Sequence, residues 1–131
     1  MAKMIHTMLR VLDLDRSIDF YEKVFNLSEK RRHEFEKFSF VYMGNDENDY
    51  EIELTLNRGT TEAYSHGNGY GHIAVCVEDL DAEHKRVSSL GFEPRDIVAF
   101  SPGGDLLARF FFIKDPDRYE IEVIERHGAY R

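Results

Sequence analysis

The chain contains one short stretch twice, and this repeat decides the fold. Residues 50–54 read YEIEL and residues 119–123 read YEIEV, an offset of 69 residues. Upstream, His6 opens a segment that ends VLDLD at residues 11–15, and His72 opens one that ends VEDLD at residues 77–81, an offset of 66 residues. Because the two offsets are so similar, the sequence predicts two related modules that differ by a short insertion in a loop.

Each copy shows the same order of local patterns. Residues 4–12 alternate between apolar and polar side chains, which is typical of a strand, and the acidic residues at 13–17 are typical of a helix start. Residues 80–90 are predicted to be helical, with Gly91 ending the helix, and further strands are predicted at 38–43, 50–56, 92–100, 108–113 and 119–124. The charged residues 29–36 are expected to be solvated. The predicted fold class is therefore α+β, with two tandem βαβββ modules.

The modules are expected to form a single domain over residues 1–131. Module one covers about 1–57, a linker rich in Gly, Thr, Ser and Asn covers about 58–70, and module two covers about 71–127. This length and a hydrophobic content of 42% are enough for a substantial core.

Composition excludes several classes of partner. A formal net charge of −8 argues against a nucleic-acid surface, and no apolar run approaches the roughly 20 residues that span a bilayer. We expect no secretory signal, because the N-terminus carries one lysine and no long apolar stretch. The single cysteine, Cys76, is typical of a reducing compartment, so the protein is expected in the cytoplasm.

The repeat places two histidines and two glutamates at equivalent points of the two modules. His6 corresponds to His72, and Glu53 corresponds to Glu122. Two imidazoles and two carboxylates form a typical ligand set for a divalent metal ion. The alternative is that the four residues form two ion pairs retained from a duplication. On an octahedral metal ion, these four ligands leave positions open, at which the ion can polarise a carbonyl while a nearby carboxylate moves a proton between adjacent carbons.

Two further residues are candidates for binding a ligand on the same strand faces. Arg10 follows His6 by four residues, and its guanidinium could bind a substrate carboxylate; alternatively, it pairs with one of the glutamates. Asn57 follows Glu53 by four residues and could hydrogen-bond the same ligand, or serve only as a turn residue. His66 lies in the glycine-rich segment that leads to His72, where it could close over a ligand.

Several motifs together resemble the glyoxalase I (lactoylglutathione lyase) family of the vicinal oxygen chelate superfamily. They are IHTMLRV at 5–11, DRSIDFY at 15–21, IELT at 52–55 with Asn57, YGHIAV at 70–75 and DPD at 115–117. The match runs in order over almost the whole chain. The chain departs from the family pattern at Arg118, where a glycine is usual, at Arg58, where an aromatic residue is frequent, and at 101–107, where some relatives have a lysine.

The resemblance implies a specific site and reaction. His6, Glu53, His72 and Glu122 would bind one divalent metal per site, with Glu122 as the main catalytic base and Glu53 as its counterpart. The short chain is similar to the nickel- or cobalt-activated bacterial type, so Ni(II) is expected, with Co(II) or Zn(II) as alternatives. The reaction would convert the hemithioacetal of methylglyoxal and glutathione into S-lactoylglutathione.

The remaining expectations concern ligands and assembly. In this family's pattern Arg10 and Asn57 match positions that hold glutathione, and the active unit is a homodimer with its sites at the interface. Three alternatives stay open at this point. They are a metal-free protein of the same fold that binds small molecules, as in antibiotic resistance, a glyoxalase that uses another thiol, and a different metal-dependent enzyme such as an epimerase.

Overall fold

The computed structural model describes all 131 residues and divides into two compact units, Met1–Ser65 and His66–Arg131. Each unit contains one helix and one four-stranded sheet in the chain order βαβββ. The first unit contains β1 (His6–Val11), α1 (Leu14–Phe25), β2 (Ser28–Glu34), β3 (Phe38–Gly44) and β4 (Glu51–Asn57). The second contains β5 (Ile73–Val77), α2 (Leu80–Ser89), β6 (Val98–Phe100), β7 (Ala108–Lys114) and β8 (Glu120–Glu125). The predicted fold class, α+β with two tandem βαβββ modules, is confirmed.

The two sheets have the same topology. The strand order is β1-β4-β3-β2 in the first unit and β5-β8-β7-β6 in the second. The first and last strands of each unit run parallel, and the other neighbours run antiparallel. The strand that begins beside a histidine therefore lies next to the strand that carries the repeated glutamates.

Both helices begin with an aspartate N-cap. The Asp13 carboxylate accepts a hydrogen bond from the backbone N–H of Arg16 at 3.1 Å, and Asp79 accepts one from Ala82 at 3.0 Å. Such caps satisfy one of the N–H groups that have no partner within the first turn of a helix. α1 ends at Asn26, whose φ of 53° is the left-handed conformation that asparagine tolerates better than most residues.

Each helix covers one face of its own sheet and leaves the other face for polar side chains. Helix α1 contacts β2, β3 and β4, and α2 contacts β7 and β8. The core of the first unit comprises Leu9, Val11, Leu14, Phe20, Tyr21, Val24, Val41, Met43, Ile52 and Leu54. The core of the second unit comprises Leu80, Val87, Ala108, Phe111, Ile113, Tyr119, Ile121, Val123 and Ile124.

Two segments differ from a simple reading of the sequence. The strand predicted over 92–100 is present only at Val98–Phe100; Pro94 lacks an N–H donor and interrupts the strand pattern. The charged stretch at 29–36 is exposed, as predicted, but most of it forms the edge strand β2. No helix in the structure combines the length and the apolar character needed to cross a membrane.

Candidate metal centre

The first unit brings His6 and Glu53 together. His6 Nε2 lies 3.1 Å from Glu53 Oε2, because the parallel neighbours β1 and β4 place the two side chains on the same face of the sheet. The Glu53 side chain is only 10% exposed, whereas that of His6 is 33% exposed. A nearly buried carboxylate beside an accessible imidazole supplies one oxygen and one nitrogen donor of the types that bind divalent transition metals.

The second unit repeats this pair with His72 and Glu122. His72 Nε2 lies 3.8 Å from Glu122 Oε1, and the Glu122 side chain is 16% exposed. The structure contains no group of three or more histidine, cysteine, aspartate or glutamate side chains that could hold a metal ion. The four residues predicted from the sequence are thus brought together as two pairs, one in each unit. Within a unit, this geometry fits both an ion pair and half of a metal site.

Tyr42 contacts both His6 and Glu53, and it is not among the site residues predicted from the sequence. Its hydroxyl donates a hydrogen bond to Glu53 Oε1 at 3.1 Å, and its ring meets the His6 ring edge-on at 5.7 Å. Burial, together with the hydrogen bond to Glu53, raises the pKa of Tyr42 above its ordinary value, so the phenol keeps its proton. The signal in the sequence was the alternation of β3, which places Tyr42 opposite Glu53 in the ladder.

The Arg31 guanidinium packs over the ring of Tyr42. Its guanidinium carbon lies 4.0 Å from the centre of the Tyr42 ring, and its two terminal nitrogens donate to the Glu51 carboxylate at 2.9 and 2.8 Å. A guanidinium that is both stacked on a ring and bound through a fork has few alternative positions. The hydrogen bond to Glu51 raises the pKa of Arg31, which keeps it charged.

The second unit has a corresponding frame in which phenylalanine replaces tyrosine. The Phe112 ring meets the His72 ring edge-on at 5.3 Å, and the Arg95 guanidinium lies 5.5 Å from the Phe112 ring centre and pairs with Glu120. Phe112 lies opposite Glu122 in the ladder, as Tyr42 lies opposite Glu53. Because phenylalanine has no hydroxyl group, Glu122 lacks the hydrogen bond that Glu53 receives.

Arg10 and Asn57 lie on the same face of the first sheet as Glu53. Arg10 is exposed and lies opposite Thr55 in the ladder, and Asn57 is half-buried at the end of β4. The Asn57 carbonyl accepts a hydrogen bond from Thr60 at 3.3 Å, so this residue also begins the turn that follows. The Thr55 hydroxyl is buried and has no hydrogen-bond partner, which adds a polar group that the sequence analysis did not single out.

His66 packs against two tyrosines, and Arg118 lies in a turn. The His66 ring stacks on Tyr119 at 4.2 Å and meets Tyr70 edge-on at 5.7 Å. Arg118 has a φ of 71°, the left-handed conformation that favours glycine, and its N–H donates to the Asp115 carbonyl at 2.9 Å. An arginine thus occupies the turn position where the resemblance leads us to expect glycine.

Comparison with known proteins connects this arrangement to described relatives. The family model for the glyoxalase/bleomycin resistance protein/dioxygenase superfamily matches residues 3–123. The lactoylglutathione lyase of Haemophilus influenzae is 41% identical over 132 residues, with 97% of this chain and 95% of that protein covered. The probable lactoylglutathione lyase of Vibrio cholerae is 38% identical over 134 residues, with 98% and 94% covered.

Two solved structures extend the similarity to three dimensions. The trypanothione-dependent glyoxalase I of Leishmania major is 33% identical with a TM-score of 0.76, and the match covers 95% of this chain and 87% of that chain. Glyoxalase I of Zea mays is 30% identical with a TM-score of 0.84, and the match covers 96% of this chain but 45% of that chain. The maize chain is therefore about twice as long.

Proposed function

Since the chain belongs to the glyoxalase/bleomycin resistance protein/dioxygenase superfamily, we propose that it is a lactoylglutathione lyase acting on the hemithioacetal of methylglyoxal and glutathione. The observation that carries this proposal is the pairing of one imidazole with one carboxylate in each unit, at 3.1 Å for His6–Glu53 and 3.8 Å for His72–Glu122. The extent and level of similarity to lactoylglutathione lyases support the same reaction.

The proposed metal ligands are His6, Glu53, His72 and Glu122. Their two nitrogens and two carboxylate oxygens suit Ni(II), with Co(II) and Zn(II) as alternatives. A divalent ion bound there would supply Lewis-acid stabilisation for negative charge on the two substrate oxygens. The two histidines are half-exposed, so their nitrogen donors are accessible. The two glutamates are nearly buried, so the surrounding protein restrains their carboxylates.

Glu122 is the proposed base. Its carboxylate removes the proton from the carbon that bears sulfur and hydroxyl, the electron pair of the broken C–H bond forms a double bond to the neighbouring carbon, and the carbonyl electron pair moves onto its oxygen. The proton is then returned to the neighbouring carbon. The hydroxyl of the sulfur-bearing carbon loses its proton and becomes the thioester carbonyl, while the oxygen on the neighbouring carbon gains a proton. The product is a thioester with a hydroxyl group on the adjacent carbon. Glu122 receives no hydrogen bond within its unit, which keeps its oxygens available to take up and release a proton. Glu53 is the counterpart on the opposite side of the site.

Arg10 and Asn57 are the proposed contacts to the glutathione moiety. Glutathione carries two carboxylates, and an exposed arginine on the face of Glu53 supplies a charged, fork-shaped donor for one of them. The amide of Asn57 can both donate to and accept from a peptide group. The relative from Leishmania uses trypanothione, so the assay described below includes that thiol as well.

The proposed active unit is a homodimer in which the first unit of one chain faces the second unit of its partner. Each unit supplies only one imidazole and one carboxylate, so a four-ligand site needs two units. The match covers 45% of the maize chain, so that chain is long enough to hold two copies of a chain like this one. We place the enzyme in the cytoplasm, because glutathione and the single free cysteine are compatible with a reducing compartment.

The direct test is a spectrophotometric assay for thioester formation. Metal-free protein would be mixed with methylglyoxal and glutathione, and Ni(II), Co(II), Zn(II) or Mg(II) would be added separately; a parallel series would use trypanothione. Thioester formation that depends on Ni(II) or Co(II) would support the proposal. Metal binding without turnover would favour a different metal-dependent enzyme, and no metal binding at all would favour a metal-free binding protein.

Replacing the proposed base should strongly lower turnover without unfolding the protein. We expect Glu122→Gln to lower kcat roughly 10²–10⁴-fold, the usual contribution of a general base, while the free energy of unfolding changes little. Glu125→Gln is a matched control, because Glu125 lies on the same strand and pairs with Arg109 at 2.7 Å. Near-normal activity of metal-loaded Glu122→Gln would show that the base has been assigned wrongly.

A further inference from the structure

We propose that Tyr42 is a positioning residue that fixes Glu53 as a one-oxygen metal ligand and so makes the two glutamates of the site unequal. Glu53 then serves mainly to hold the metal ion, and Glu122 remains free to move the proton. This inference rests on the proposed metal-dependent lyase. It concerns a residue that differs between the two halves of the chain, where the repeat itself would predict equal halves.

Both oxygens of the Glu53 carboxylate have a close neighbour in the first unit. Its Oε1 accepts the Tyr42 hydroxyl at 3.1 Å, and its Oε2 lies 3.1 Å from His6 Nε2. The hydrogen bond occupies Oε1 and turns Oε2 toward the imidazole. A metal ion that replaced the His6–Glu53 contact would therefore meet one nitrogen and one oxygen. Hydrogen bonds to ligating groups orient them and strengthen metal binding in this way.

Tyr42 itself has little conformational freedom. Arg31 lies 4.0 Å from its ring centre, and that arginine is fixed by two hydrogen bonds to Glu51. The rings of His6 and His33 meet Tyr42 edge-on at 5.7 and 6.3 Å. Side chains from three strands thus determine where the hydroxyl lies, so the hydrogen bond to Glu53 is prepared before any ligand binds.

In the second unit, the corresponding frame lacks the hydroxyl group. Phe112 takes the position of Tyr42, Arg95 takes that of Arg31, and Glu120 takes that of Glu51. The Glu122 carboxylate has His72 at 3.8 Å and receives no hydrogen bond in its unit. The aromatic ring, the arginine and the second glutamate correspond in the two units, so the Tyr42 hydroxyl is the difference between them that acts directly on the glutamate carboxylate.

The test exchanges this oxygen between the two units. Tyr42→Phe removes the hydroxyl and keeps the ring, and Phe112→Tyr places a hydroxyl opposite Glu122. Metal affinity of the metal-free proteins would be measured by isothermal titration with Ni(II), independently of turnover. We expect Tyr42→Phe to weaken Ni(II) binding about 10-fold, the lower end of the usual effect of losing an orienting partner. We expect Phe112→Tyr to retain Ni(II) binding and to lower kcat at least about 10-fold, since a new hydrogen bond would restrain the base.

Tyr50→Phe is the matched control, because the Tyr50 hydroxyl bonds to Thr7 in the same unit and does not touch Glu53. It should bind Ni(II) as the wild type does. Wild-type Ni(II) affinity in Tyr42→Phe would overturn the inference and leave the lyase standing, whereas a wild-type protein that binds no metal would overturn the proposed function instead. If Tyr42→Phe and Tyr50→Phe weakened binding equally, the effect would be a general loss of stability, and the positioning role would be wrong.

Discussion

At the scale of single residues, the site contrasts two carboxylates with the same place in their units and different neighbours. Glu53 is nearly buried and held at both oxygens, whereas Glu122 is held at neither by a hydrogen bond. A ligand benefits from a fixed orientation, and a base benefits from freedom to gain and lose a proton. The proposed roles, Glu53 as ligand and Glu122 as base, therefore agree with the different surroundings of the two carboxylates.

Arg10 provides a test of thiol binding. We expect Arg10→Ala to raise the KM for the glutathione hemithioacetal roughly 10-fold with little change in kcat, because a substrate carboxylate would lose a charge-assisted hydrogen bond. Steady-state kinetics with a saturating metal ion would measure both parameters. Arg32→Ala is the control, since Arg32 pairs with Glu29 and Glu34 on the edge strand. An unchanged KM in Arg10→Ala would mean that the arginine does not bind the thiol.

The repeat in the sequence could predict the two pairs but not Tyr42. The offsets identify His6 with His72 and Glu53 with Glu122, and the structure pairs the residues within each unit accordingly. A sequence repeat identifies only the residues that the two copies share. Tyr42 and Phe112 differ, so the repeat does not reveal the hydroxyl group that makes the surroundings of Glu53 and Glu122 different. The buried hydroxyl of Thr55 was missed for another reason, because solvent exposure depends on packing that the sequence pattern does not give.

At the scale of elements, both helices depend on an aspartate at their start. We expect Asp13→Ala and Asp79→Ala each to lower the free energy of unfolding by about 1 kcal/mol, because the N–H groups of Arg16 and Ala82 would lose their acceptors. Urea unfolding followed by circular dichroism would measure the change. Asp13→Ser should recover most of the loss, since serine is also an effective cap. If serine were as damaging as alanine, the capping interpretation would be wrong.

The strands show where element prediction from sequence succeeds and fails. Strands with one buried face, such as β1 and β4, alternate between apolar and polar residues and were predicted within about two residues. β2 is exposed along its whole length, so no alternation marks it, and only its hydrogen bonds to β3 make it a strand. Its arginines and lysine also discourage pairing with another chain at this edge.

At the scale of the whole molecule, the two similar units explain why the candidate ligands occur as two histidine–glutamate pairs. A βαβββ unit buries one sheet face under its helix and presents the other, and each presented face brings one imidazole close to one carboxylate. Two donors bind a metal ion weakly and four bind it well, so the proposed four-ligand site requires the faces of two units. The composition and the repeat could predict these units, but which chains supply the two faces depends on assembly, and no local pattern encodes it.

The proposed exchange of units between chains predicts complementation between two inactive variants. His6→Ala damages the first unit, and Glu122→Gln damages the second. In the exchanged dimer, a heterodimer of these variants combines both lesions in one site and leaves the other site intact, so activity should return. Equal mixing with free exchange should restore about one quarter of the wild-type specific activity, because about half of the dimers are mixed and each has one intact site. If each chain built its own site, every site would carry one lesion and the mixture would stay inactive.

Subunit exchange would be verified with differently tagged chains, and light scattering would establish the oligomeric state. An active monomer, or no activity despite verified exchange, would refute the exchanged dimer.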